Sequence, residues 1–212
     1  MINFDPYFTI EEIAENEINE KKSRFFGIAG PVSSEQEAEN FLAEIRKKHR
    51  DAGHHCSAFI IGRNSELVRC RDDGEPGGTA GKPILEVLRG AGLVNVIAVV
   101  TRYFGGILLG TGGLVRAYTQ ATQAVLAKAA VVEMVYGNKI TIVTDYSDIA
   151  KIQHLLEKRK IAILQARYFE KAEFDITIPR EDTEMVSKAI TEVVHARAVI
   201  TVTSSAYYRN SE

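Results

Sequence analysis

Tryptophan is absent, cysteine occurs twice (Cys56 and Cys70), and proline five times. Two cysteines cannot build a disulfide framework and lack zinc-ribbon spacing, so the chain is expected in a reducing compartment. The opening MINFDPYF has no basic stretch leading into an apolar run. Nor does any window reach the ~18 apolar residues of a membrane helix, and both features point to the cytosol with no membrane partner. Charge of one sign is also missing: the net charge of -2 excludes a wholesale basic coat for nucleic acid, while leaving room for a local basic patch. With 45% hydrophobic and 25% charged residues, the 212-residue chain has the composition of a folded protein rather than a disordered one. That length suffices for one large domain or two small ones.

Glycine is plentiful but unevenly spread. Most of the 16 glycines fall between Asp72 and Tyr118, in the loop DDGEPGGTAGKP (72–83) and in TRYFGGILLGTGGLVRAY (101–118). Glycine serves where φ must be positive or where backbone must approach something closely, so this stretch is a site or a demanding turn system.

Around it the elements can be read in order. Tyr7 to Ile18 suits an edge strand or a helix, with the strand preferred because Ser23 to Gly30 would pair with it. Ser34 followed by Glu37 is a capping box, and Ala38, Phe41, Leu42 and Ile45 recur at helical spacing, giving a helix from Ser34 to about Arg50. Ser57–Ile61 and Leu67–Arg71 form a hairpin, and Pro83 opens a helix from Ile84 to about Ala91. GLVNVIAVV (92–100) reads as a strand buried on both faces, and Leu114 to Ala130 as a long buried helix. Beyond Val132 the order strand, helix, strand, strand, helix, strand follows, which is the split βαβ pattern. A boundary near Tyr136 and Gly137 therefore divides the chain into residues 1–136 and 137–212.

Chemistry concentrates in the glycine-rich stretch. Thr101, Arg102, Tyr103 and Phe104 close an apolar strand ahead of Gly105 and Gly106, where open α/β sheets collect ligands. Gly110, Gly112 and Gly113 lead into the long helix, whose free N–H groups and dipole make an anion site. Arg102 and Arg116 are candidate bidentate donors to a phosphate. The bland alternative is close packing, since GTGG matches neither the Walker pattern nor the dinucleotide fingerprint. Asp72, Asp73 and Glu75 offer carboxylates to Mg²⁺, with Thr79 and Lys82 nearby, yet Asp-Gly and Pro-Gly are also plain turn chemistry; no metal is assigned. His54, His55 and Cys56 suggest a nucleophile or a metal site, but neighbours on a strand diverge, which favours a core cysteine with histidines at the rim.

AGHHCSAF (52–59), DDGEPGGTAGKP (72–83) and VVTRYFGGILLGTGGLVRAY (99–118) together resemble the YigZ/IMPACT family. The resemblance implies an α+β fold in two domains. The N-terminal one is of the ribosomal protein S-five domain-two type, with two helices on one face of a sheet and a left-handed crossover. The C-terminal one is ferredoxin-like. Both folds are common among RNA-binding and ribosome-associated proteins, and eukaryotic relatives restrain a starvation-responsive initiation-factor kinase through a further domain absent here. The resemblance brings no agreed catalytic residues and no cofactor. Its motif positions mark one surface: His54, Asp73, Glu75, Thr79, Arg102, Tyr103, Phe104, Gly105, Gly106, Gly110, Gly112, Gly113 and Arg116. The expected function is non-catalytic binding of RNA, the ribosome or a translation factor, in regulation of translation. The alternative is a Mg-dependent enzyme acting on a phosphorylated or peptide substrate.

Overall fold

The computed structural model describes residues 4–210. Packing divides them into two compact units: Tyr7–Val132, and Glu133 onward together with the segment that ends at Pro6.

The first unit runs β1 (Tyr7–Ile10), β2 (Ala14–Glu20), β3 (Ser23–Pro31), α1 (Glu35–Lys48), β4 (His54–Ile61), β5 (Leu67–Arg71), α2 (Gly81–Gly90), β6 (Val96–Tyr103) and α3 (Gly110–Leu126). Its five-stranded sheet has the order β2-β3-β6-β4-β5, and every neighbouring pair is antiparallel. Alternation along the strands sorts side chains between two faces. Phe25, Ala29, Cys56, Ala58, Val96, Ala98 and Val100 join the helical residues Ile84, Leu88, Leu114, Ala117 and Val125 of α2 and α3. Ile28, Phe59, Ile97 and Val99 meet Ala38, Leu42 and Ile45 of α1 on the other side. β6 is thus buried on both faces, as its apolar run demands. Each Val, Ile or Leu buried there contributes about 1.5–3 kcal/mol.

The register also fixes an unusual handedness. β3 and β4 are both antiparallel to β6 and so parallel to each other, and α1 links them across one face. β5 and β6 are likewise parallel, with β4 between them, and α2 links them across the opposite face. The second crossover reverses strand direction, direction of travel and face, and three reversals invert the hand. One of the two is therefore left-handed, against the usual rule.

Two expectations are corrected. The sheet is wholly antiparallel, so the ligand-collecting carboxyl edge of a parallel sheet does not exist here. β6 starts at Val96 rather than Gly92 and ends at Tyr103, and α3 begins at Gly110 rather than Leu114, placing Gly110, Gly112 and Gly113 inside its first turn. Gly110, at the entry to that turn, has a positive φ of 68°, which glycine adopts without strain.

The second unit contains β7 (Val131–Thr144, which enters the unit at Glu133), α4 (Ile149–Lys158), β8 (Ile163–Tyr168), β9 (Ala172–Pro179), α5 (Thr183–Val193) and β10 (Val199–Arg209), with short 3-10 turns before each helix. The antiparallel order β8-β9-β7-β10 is the ferredoxin-like arrangement. Ile140, Ile142, Phe174, Ile176 and Ile178 pack against Ile152, Leu156, Val186 and Ile190 of the two helices.

Candidate functional site

The first glycine-rich loop turns most of its polar groups inward. Asp72 accepts backbone N–H bonds from Gly78 at 2.8 Å, Ala80 at 3.0 Å and Gly81 at 2.8 Å. Ala80 supplies no capping side chain, so Asp72 serves the amino end of α2 from upstream. Burial alone would raise this carboxyl, but the donors of Gly78, Gly81 and Ala80 together hold it below its ordinary value. Asp73, in a left-handed conformation, accepts from Arg46 at 2.6 Å and from the N–H of His55 at 2.7 Å. Its carbonyl lies 2.9 Å from Nδ1 of His54; a carbonyl only accepts, so Nδ1 carries the proton. Thr79 is buried and donates its hydroxyl to the Pro76 carbonyl at 2.7 Å. The carboxylates of Asp72, Asp73 and Glu75 thus serve different partners, and no group of metal-ligating side chains converges among the described residues.

Glu75 joins the two glycine-rich segments. A single carboxylate oxygen, Oε1, accepts from Nη1 of Arg102 at 2.8 Å and from the Tyr118 hydroxyl at 2.8 Å, while Nε2 of His54 stands 3.9 Å away. Arg102 is only 5% exposed. A bare buried charge costs several kcal/mol, so a guanidinium at the end of β6 requires this carboxylate. Tyr118 also meets Sγ of Cys56 at 3.3 Å, and the thiol reaches the Asp72 carbonyl at 2.9 Å. Burial pushes the Cys56 thiol up to about 12, the reverse of what a nucleophile needs. Burial likewise raises Tyr118 well above the ordinary tyrosine range.

The candidate set is accordingly divided. His54, Asp73, Glu75, Thr79 and Arg102 form internal scaffolding, and Arg102 is not a free phosphate donor because Glu75 already holds it. Tyr103 points to the other side of the sheet, toward α1, where its hydroxyl meets Nδ1 of His49 at 3.0 Å and its ring meets Phe26. Adjacent strand residues must diverge in this way. Gly105 is a packing residue: a Cβ there would lie 2.0 Å from the Lys22 carbonyl oxygen, and its N–H donates to Ser23 Oγ at 3.2 Å.

What stays open is the amino end of α3. Leu109 provides no cap, and the first turn carries no acidic residue. Gly110, Thr111 and Gly112 are exposed. Gly112 has ordinary helical φ, and a Cβ built on it would meet nothing nearer than Nη1 of Arg116 at 3.9 Å. Neither sterics nor backbone conformation inside the protein calls for glycine here, although glycine costs about 1 kcal/mol relative to alanine. Arg116 is exposed, has no ion pair among the described residues, and leans back over this turn. Phe104 stands 55% exposed on the preceding loop, with the Arg102 guanidinium carbon 5.5 Å from its ring centre. Leu108 is 83% exposed. Lys22, whose carbonyl is packed under Gly105, is exposed as well. The open site is therefore an uncapped turn with the Arg116 guanidinium beside it and Phe104 exposed on the loop that leads into it.

Sequence reasoning missed Tyr118, Ser23 and Lys22. Tyr118 had a signal: it shares the apolar stripe of Leu114, Ala117, Ala121 and Val125, where a tyrosine hydroxyl must find a partner. Ser23 and Lys22 had none.

Comparison with known proteins fixes the family. The Impact N-terminal domain matches residues 21–126, and a domain of unknown function, DUF1949, matches residues 142–197. The chain belongs to the IMPACT family. It is 41% identical to IMPACT family member YvyE of Bacillus subtilis, over 92% of this chain and 89% of that protein. It is 38% identical to IMPACT family member YigZ of Escherichia coli, over 77% and 78%. Protein IMPACT of Xenopus laevis is 36% identical over 44% of this chain and 31% of its own length. A solved structure described as a hypothetical protein superposes with a TM-score of 0.63 at 29% identity, covering 95% of this chain and 99% of its own. The IMPACT domain match begins at the turn bearing Lys21 and Lys22 and ends with α3, so it encloses every group of the open site. Among the described residues no helix is long and apolar enough to cross a membrane.

Proposed function

We propose that this IMPACT family member is a non-catalytic cytosolic protein that binds RNA of the translation apparatus and acts in regulation of translation. The observation that carries the reading is the uncapped amino end of α3, where the exposed first turn and the unpaired Arg116 face solvent together. A phosphate fits there on three grounds: N–H donors point outward, the dipole is positive, and a guanidinium stands beside it. Phe104 adds an exposed ring on which a base can stack, worth about 1–3 kcal/mol. The alternative, Mg-dependent chemistry on a phosphorylated or peptide substrate, has less support. Asp72, Asp73 and Glu75 are committed to internal donors, and the Cys56 thiol is held protonated.

The test is fluorescence anisotropy of a labelled single-stranded RNA titrated with the full chain at stepped salt. Binding should weaken steeply with salt, and Arg116→Ala should reduce the logarithmic salt slope by about one. No binding at about 50 mM salt, or an unchanged slope in the variant, defeats the proposal.

A further inference from the structure

The second unit holds a recess that the proposed RNA site does not involve. About 760 Å³ in volume, it lies where the end of α4, β8, β9, the start of α5 and the end of β10 meet. That size is within the ~300–1,000 Å³ of small-molecule sites. Leu164, Ile178, Met185 and Val186 give it apolar walls. Its charge is one-sided: Arg159, Lys160 and Arg209 line it, against Asp182 alone among carboxylates.

Two of these cations are uncommitted. Nη1 of Arg159 reaches only the sulfur of Met185, at 3.7 Å, a weak acceptor on the same wall. Arg159 and Lys160 form no ion pair among the described residues, although both are within the last turn and cap of α4 or just beyond it. Tyr208 contributes a further polar group. Its ring lies against Gly137, where a Cβ would come 2.2 Å from Cε1, and its hydroxyl is shielded from water without a protein partner. An unsatisfied buried hydroxyl costs about 1–3 kcal/mol, so it favours any occupant that bonds to it after a small shift of the ring.

We propose that this recess binds a small amphipathic anion, with its apolar body between Leu164, Met185 and Val186 and its acidic group on Arg159 and Lys160. The apolar walls set the body, and the unpaired guanidinium and ammonium set the charge. Neither alone specifies the ligand class; together they exclude cations and favour an aromatic or aliphatic acid over a neutral molecule of the same shape.

The full-length protein tests this with 8-anilinonaphthalene-1-sulfonate, an aromatic sulfonate whose emission rises in apolar surroundings, and with its neutral relative N-phenyl-1-naphthylamine. The sulfonate should bind saturably at one site. Arg159→Ala combined with Lys160→Ala should weaken it at least about tenfold, the equivalent of one lost charge-assisted bond, while the neutral dye changes by less than about twofold. Ala162→Trp, on the exposed rim, should remove both dyes by filling the recess. All three positions are exposed, and unchanged melting checks that each variant folds. Equal sulfonate affinity in the double variant, an equal loss for both dyes, survival of binding in Ala162→Trp, or no saturable binding each overturns the proposal.

Discussion

Gly112→Asp separates stability from binding at the amino end of α3. The substitution is unstrained, because φ at Gly112 is not positive and the nearest atom to the new Cβ is Arg116 Nη1 at 3.9 Å. Removing a helical glycine gains a few tenths of a kcal/mol even for aspartate, a poor helix former. A carboxylate in the first turn adds about 0.3–1 kcal/mol through the dipole, and pairing with Arg116 one turn on adds about 0.2–0.5. The variant should therefore be more stable by about 1–2 kcal/mol, raising Tm by roughly 3–6 °C. The same carboxylate occupies the amides and the guanidinium that a phosphate needs. RNA affinity at about 50 mM salt should accordingly fall at least tenfold, whereas Gly112→Ala should gain stability and lose far less affinity. Calorimetry and RNA anisotropy on one preparation read both quantities. A Gly112→Asp protein that melts higher and still binds RNA like the parent would refute the reasoning.

Glu75→Ala leaves Arg102 buried without its carboxylate and should cost about 3–5 kcal/mol, seen as a large fall in the melting temperature of the first unit. Thiol titration at pH 8 should find Cys70 reactive and Cys56 silent until denaturant is added, because burial holds the Cys56 thiol up at about 12 while Cys70 is exposed. Asp148 and Asp175 are held below the carboxylate range, chiefly by hydrogen bonds from Arg197 and Arg167. Folded values below unfolded ones mean stability that is present above about pH 4 and lost as pH falls through the folded values. Acid should thus melt the second unit, and Asp148→Asn and Asp175→Asn should flatten that dependence. Gly105→Ala, which drives a Cβ into the Lys22 carbonyl, should destabilise the first unit and lower RNA affinity together.

Much of the fold is legible because its elements are amphipathic. The Ser34 cap is seen as expected, its hydroxyl accepting from the Glu37 N–H at 3.2 Å. The Glu37 carboxylate reaches back to the N–H of Ser33 at 2.7 Å, one residue earlier than a capping box predicts. The strand and helix order of the second unit follows from the alternation of KITIVT and the spacing of Ile149, Ile152, Leu155 and Leu156. The candidate site was legible only in part. That Arg102 and Tyr103 close β6 is legible in the run, and their alternation sends them to opposite faces, but what each face holds is not. Pairing of Glu75 with Arg102 and Tyr118 crosses 27 and 43 residues and depends on the sheet register, which local pattern does not contain. The glycines of this stretch are there for mixed reasons: Gly105 is there for packing, while Gly112 has no internal need to be glycine.

The most direct measurement is a nitrogen-proton NMR titration of the labelled full chain with a short single-stranded RNA at low salt. The amides of Gly110, Thr111, Gly112 and Gly113 and the side chain of Arg116 should shift first and saturate together, with Phe104 following. Saturation of RNA binding while those amides stay in place, or no shift anywhere on the chain, would contradict the account.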